Sequence, residues 1–168
     1  MESLKIVVLC VVAGAVYGVI HDQFTARICI EYFTVFHPHV FATNSPTLLG
    51  LGWGIIATWW VGAILGMLLA LAARAGSRPK LGAADLVRPI GQLLLAMGVS
   101  AAFFGFLGFV LSRRGVVSPP ELVRYELAPF LHARFMADWC AHNTSYAVGL
   151  AGGILLCILQ YRKRAPAE

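Results

Sequence analysis

Histidines and carboxylates carry most of the chemistry this sequence can offer, and they are unevenly placed. All five histidines, His21, His37, His39, His132 and His142, fall within two polar segments, 21–46 and 112–142, together with Asp22, Glu31, Glu121, Glu126 and Asp138. Imidazole nitrogens and carboxylate oxygens in sets of three or four suit zinc, iron, copper or manganese. The metal candidates are His21, His37, His132 and His142. On a helix, Asp138 and His142 are i,i+4 neighbours, with His132 roughly 80° round from His142. In an enzyme, His21 and His142 would bind metal or shuttle protons. Asp22 and Asp138 would orient them, and Glu31 would act as ligand or base. Asp22, Glu31 and Asp138 are therefore the catalytic candidates. No tightly spaced ligand signature, such as His-Glu-x-x-His or Glu-x-x-His, is present. The metal expectation thus rests on clustering, beside two plainer readings: a structural His–Asp contact between helices, and a surface turn at His37-Pro38-His39.

The elements that must position these residues are apolar helices. Of 168 residues, 59% are hydrophobic and 12% charged, about half the charged share of a soluble domain. A chain this short cannot bury so much apolar surface in one water-soluble core. Four apolar segments, 4–20, 47–73, 90–111 and 143–161, predict an all-α, four-transmembrane-helix bundle with long structured loops at 21–46 and 112–142, all in one membrane domain. A span needs about 20 residues to cross ~30 Å of hydrocarbon. Segments two and three reach that length; one and four fall short because polar residues enter the membrane. Counting ~20 residues from Lys5 puts the far boundary near Thr25, with His21 and Asp22 inside it. Counting back ~20 from Arg162 puts it at His142. Ionisable groups at such depth normally face a partner or a wet cavity and are default functional-site candidates.

Charge placement sets the expected orientation. Lys5, the basic connection bearing Arg74, Arg78, Lys80 and Arg88, and Arg162, Lys163 and Arg164 predict cytoplasmic termini. The long loops then face outward, although Arg113, Arg114, Arg124 and Arg134 on the second weaken the asymmetry. Basic residues cluster at segment ends rather than along a face with interleaved aromatics, which argues against nucleic acid. Small residues mark expected helix contacts: Gly14-x-x-x-Gly18, Gly62-x-x-x-Gly66, a stripe of Gly91, Gly98 and Gly105, and Gly149, Gly152 and Gly153. Ser118-Pro-Pro-Glu121 predicts a short interfacial helix over 119–127, with Pro129 opening a second that runs into span four. Residues 24–35 alternate polar and apolar as a strand would. They also fit a helix with Arg27 and Glu31 as an i,i+4 pair, and the lead-in from helix one favours helix. Cys10 and Cys157 read as inert packing residues. Cys29 and Cys140 lie on the outer side, where an oxidising compartment permits a disulfide between the loops; free thiols or a metal thiolate are the alternatives. No Cys-x-x-Cys pair exists, which argues against a four-helix disulfide-forming oxidoreductase.

The run Tyr17-Gly18-Val19-Ile20-His21-Asp22-Gln23-Phe24-Thr25-Ala26-Arg27, with Cys29-x-Glu31-Tyr32-Phe33-Thr34 and His37-Pro38, resembles a family of small bacterial membrane proteins with an HDQ…EYFT…HP signature. The likeness extends through Ser45-Pro46-Thr47 and the Gly-Trp-Gly and Thr-Trp-Trp stretch, about the first half of the chain. It implies a bacterial inner membrane and four spans, and nothing catalytic. Three functional expectations follow. The first is a polar, metal-binding site at the outer face, acting on a lipid or a lipid-soluble molecule such as a quinone. The second is a non-enzymatic accessory or assembly subunit, partnered with another membrane protein or with copies of itself. The weakest is a channel or transporter, since spans two and three carry no charge midway.

Overall fold

The computed structural model describes residues 1–164. Helix α1 spans Glu2–Ile28, α2 Pro46–Ile56, α3 Trp59–Arg74, α4 Ala83–Arg113, α5 Glu121–Arg124 and α6 His132–Lys163. A π-helical turn at Tyr32–Phe36 and a 3-10 turn at Pro129–Leu131 complete the elements. Four stretches, Glu2–Ile28, Pro46–Arg74, Ala83–Arg113 and Pro129–Lys163, are long and apolar enough to cross a membrane. Their outward surface fits that reading. Leu4, Val8, Val12, Val16, Ile20 and Phe24 recur every fourth residue on α1 and are all at least half exposed, an apolar stripe that water would penalise and lipid would not.

The chain folds as two antiparallel units. α1 packs along α2 and α3, and α4 packs along α6; α3–α6 and α1–α4 contacts close the bundle. Glycine sets the first seam. A Cβ on Gly54 would lie 2.6 Å from Val19 Cα, and one on Gly62 2.9 Å from Val11 Cα, so the backbones touch where the Gly14 and Gly62 motifs predict. The expected stripe on the third span needs correction. Gly105 meets Ala137 on α6, but Gly91 faces open space and Gly98 reaches only Tyr17; Gly108, against Met136 and Cys140, completes the contact instead.

Span two is not one helix over 47–73. Its start is as expected, with Pro46 in the first turn and Ser45 Oγ accepting the Leu48 N–H. It then breaks at Ala57–Thr58. There the Thr58 hydroxyl donates to the Gly54 carbonyl, while the Thr58 N–H turns to Ile55. A side chain thus replaces a backbone donor in the ladder. Span three begins earlier than 90, at Ala83, because Asp85 accepts the Gly82 N–H at 2.8 Å. Pro89 sits inside that helix.

The loop helix over 119–127 shrinks to Glu121–Arg124 because His132 ends it. Its Nε2 lies 3.2 Å from both the Arg124 and Leu127 carbonyls, satisfying the helix C-terminus from a distance. Pro129 does open the turn that leads into α6, so residues 132–142 are helix rather than loop. Over 24–35, α1 continues only to Ile28 before the π-helical turn. Arg27 bonds to Gln23 and Thr47, not to Glu31.

Two compact cores bracket the bundle. One, at the histidine end, joins Ala26, Cys29, Tyr32, Phe33, Leu49, Phe135 and their neighbours. The other, at the end where α1 begins and α6 ends, joins Ile6, Leu69, Ala73, Leu86, Ile90 and Leu156. Arg164 closes that second end. Its guanidinium is 1% exposed and donates to the carbonyls of Ala72, Ala75, Arg78 and Pro79 at 2.6–3.2 Å.

A candidate metal centre at the histidine end

Helix α1 delivers His21 and Asp22 nearly two turns before its end, and α6 delivers His142 opposite them. The His142 ring lies over Tyr32, with centroids 4.4 Å apart, and edge-on to His21 at 4.6 Å. Tyr17, one turn below His21 on the same face, stacks on it at 5.7 Å and hydrogen-bonds Ser145 of α6 at 2.7 Å. Asp22 and His142 are 5% and 7% exposed. The elements therefore hold three donor groups in a largely dry environment.

The hydrogen bonds decide what those groups can do. His142 Nδ1 donates to the Asp138 backbone carbonyl at 2.8 Å. In a neutral imidazole the other nitrogen, Nε2, then carries only a lone pair. That atom faces Asp22 Oδ1 at 3.2 Å, so two electron-rich atoms meet at hydrogen-bond distance. A proton on one of them or a cation between them must resolve the contact. His21 Nε2 is buried and has no partner. One ligand atom each from His21, Asp22 and His142 lie within 4.8 Å of one another.

Two imidazoles and a carboxylate fit a transition metal in charge and donor type, and three protein ligands leave coordination positions free for another group. The His142–Asp138 bond is the kind of outer contact that fixes a ligand's tautomer and ring orientation.

The remaining candidates lie elsewhere or act differently. His37 Nδ1 donates to the Tyr32 carbonyl at 2.8 Å, and its ring packs on Trp53. It lines the same cavity as the cluster but is outside the ligand group. Burial pushes its imidazole below the ordinary range, with His142 adding to the effect and the Tyr32 carbonyl partly offsetting it. His132 caps α5 and is separate from the cluster; His39 is exposed. Asp138 is fully buried with neither carboxylate oxygen partnered, and it serves His142 through its backbone. Glu31 accepts from the Cys29 thiol at 3.4 Å.

Cys29 and Cys140 are both free thiols rather than a bridge. Cys29 turns to Glu31, and Cys140 packs against Gly108 on α4. Burial, with Asp138 and Glu31 adding to it, pushes the Cys29 thiol up to about 12, so without a metal it stays protonated near neutral pH.

Below the cluster lies a cavity of about 320 Å³. Its walls are mostly apolar and come from all four spans, and the cluster forms one end. Sequence reasoning did not foresee it. Tyr17, four residues before His21, and Ser145, three after His142, did carry the helical spacing that puts them beneath the site.

No protein family, curated protein or solved structure matches this chain.

Proposed function

We propose that this chain is a bacterial inner-membrane protein with cytoplasmic termini, holding a transition metal at its extracytoplasmic face through His21, Asp22 and His142. The site acts on a lipid-soluble molecule that reaches it from the bilayer. One observation carries the metal: a third buried donor atom, His21 Nε2, without a partner beside the Asp22–His142 contact. A proton would resolve a pair of facing lone pairs. It would leave the third donor unsatisfied at membrane depth, where unpaired polar groups are costly. A metal ion satisfies all three.

The membrane placement draws on the four long apolar helices, and the orientation on the basic residues flanking their shared end. The metal, when bound, supplies Lewis acidity at its free positions. The chain's own residues do the rest. Asp138 holds the His142 ring through its carbonyl, Tyr32 covers that ring, and Tyr17 braces His21 from below.

The test is elemental analysis of protein purified without chelator. Wild type should carry about one metal ion per chain, and His21→Ala and His142→Ala should carry almost none. Metal-free wild type that stays metal-free after zinc, iron(II), copper or manganese is added would remove the reading. It would leave an imidazolium–carboxylate pair between α1 and α6.

A further inference from the structure

The cavity beneath the cluster has a shape and a mouth that narrow what can enter it. On α1 its lining runs from Asp22 down to Cys10, about 18 Å of helix at 1.5 Å per residue. Its floor is formed by Leu69, Ile90 and Leu156 of the far core. A volume of about 320 Å³ drawn out over that length makes the cavity long and slender, the shape of an extended hydrocarbon chain. The volume is at the lower limit of small-molecule pockets, about 300 Å³.

The mouth lies between α3 and α6. Trp60, Ile64, Tyr146 and Leu150 line the cavity, yet each is 46–59% exposed on the bundle surface. Ala57 and Thr58, where span two breaks, also line it. The α2 half of that span packs on α1, while the contacts with α6 come from α3, so the wall thins towards the histidine end. Non-helical backbone at membrane depth is tolerated where it borders a cavity.

We propose that this cavity binds a single-chain amphiphile carrying a carboxylate, that is, a long-chain fatty acid. The chain enters between α3 and α6 and lies along the apolar walls, with the head group at the His21–Asp22–His142 centre. The inference rests on the metal reading for its head group. Two neutral imidazoles and one carboxylate leave a divalent ion with a net positive charge, which one further carboxylate oxygen neutralises. The walls supply the rest of the binding, since each methylene buried is worth about 0.8 kcal/mol.

The probe is myristate added to the zinc-loaded protein in detergent, with tetradecanol as the uncharged control, read by native mass spectrometry. Wild type should retain one zinc and one myristate, and should hold tetradecanol more weakly. Ala57→Phe fills the wall without touching a ligand residue, and Leu150→Trp obstructs the mouth. Each should keep zinc and weaken myristate binding about tenfold or more, as expected if the space for two methylenes is lost. His142→Ala should lose zinc and the preference for carboxylate over alcohol.

Undiminished myristate binding in both Ala57→Phe and Leu150→Trp would overturn the cavity assignment. Equal retention of tetradecanol and myristate by zinc-loaded wild type would overturn the head-group assignment. Wild type lacking zinc yet holding myristate in an Ala57→Phe-sensitive way would sink the metal reading alone and support the cavity.

Discussion

The two ends of the bundle bury charge and polarity in opposite ways. At the end where α1 begins and α6 ends, Arg164 is sealed from solvent, and all three of its guanidinium nitrogens reach backbone carbonyls. Arg74 joins in by donating to the Leu81 carbonyl at 2.9 Å. Among the described residues, only Gln160 Oε1 is left buried without a partner there. At the histidine end, His21 Nε2 and both Asp138 oxygens are buried and unpartnered, and a His142 lone pair faces a carboxylate. A satisfied buried group reads as structure. Several unsatisfied ones at one end, where His21, Asp22 and His142 meet beside a cavity, read as a place kept for something else.

Crossed substitutions test that contrast with the largest effects. Arg164→Met should cost about 3 kcal/mol, because carbonyls bonded to a charged group are left bare, while metal content stays at one per chain. Asp22→Ala should do the reverse. Metal is lost, and the metal-free variant falls below metal-free wild type only by the lost Asp22–His142 contact, about 1–2 kcal/mol. Thermal unfolding in mild detergent with parallel metal analysis reads both. Loss of metal in Arg164→Met at full stability would break the comparison.

A second pair sharpens the packing side. Gly54→Ala forces a methyl into the Gly18–Val19 backbone and should cost about 1–3 kcal/mol. Gly91→Ala meets nothing within 4 Å and should be neutral, or gain up to about 1 kcal/mol of helix propensity. Equal costs at both positions would mean that α1 and α2 do not pack as described.

The smallest expected effect concerns pH. His37 binds a proton less readily in the fold than in the unfolded chain, mainly because it is buried. Its contribution to stability is therefore complete above about pH 6.5, shrinks as pH falls below that value, and levels off below the folded pKa. His37→Gln should flatten this part of the acid limb. A wild-type limb identical to that of His37→Gln would remove the burial argument.

Much of this architecture was legible from the sequence, for physical reasons that differ by element. The four long apolar helices follow from composition and length. That His21, Asp22 and His142 share one level follows from counting helix rise inward from Lys5 and Arg162, whereas their meeting depends on how α1 and α6 pack. The break at Ala57–Thr58 was hidden because its cause, a Thr58 hydroxyl on the Gly54 carbonyl, leaves the hydrophobic pattern intact. His37 and His132 stood among the metal candidates because their type is right. Their carbonyl partners, Tyr32 for one and Arg124 and Leu127 for the other, exist only once the turns have formed. Cys29 and Cys140 were plausible partners by compartment alone, but the fold turns their thiols to different neighbours.

X-ray absorption at the zinc edge of the zinc-loaded protein addresses the central assignment most directly. The account predicts only nitrogen and oxygen neighbours at about 2.0–2.2 Å, with the multiple-scattering pattern of two imidazole rings, reduced to one ring in His21→Ala. A spectrum with sulfur at about 2.3 Å, or one unchanged in His21→Ala, would contradict it.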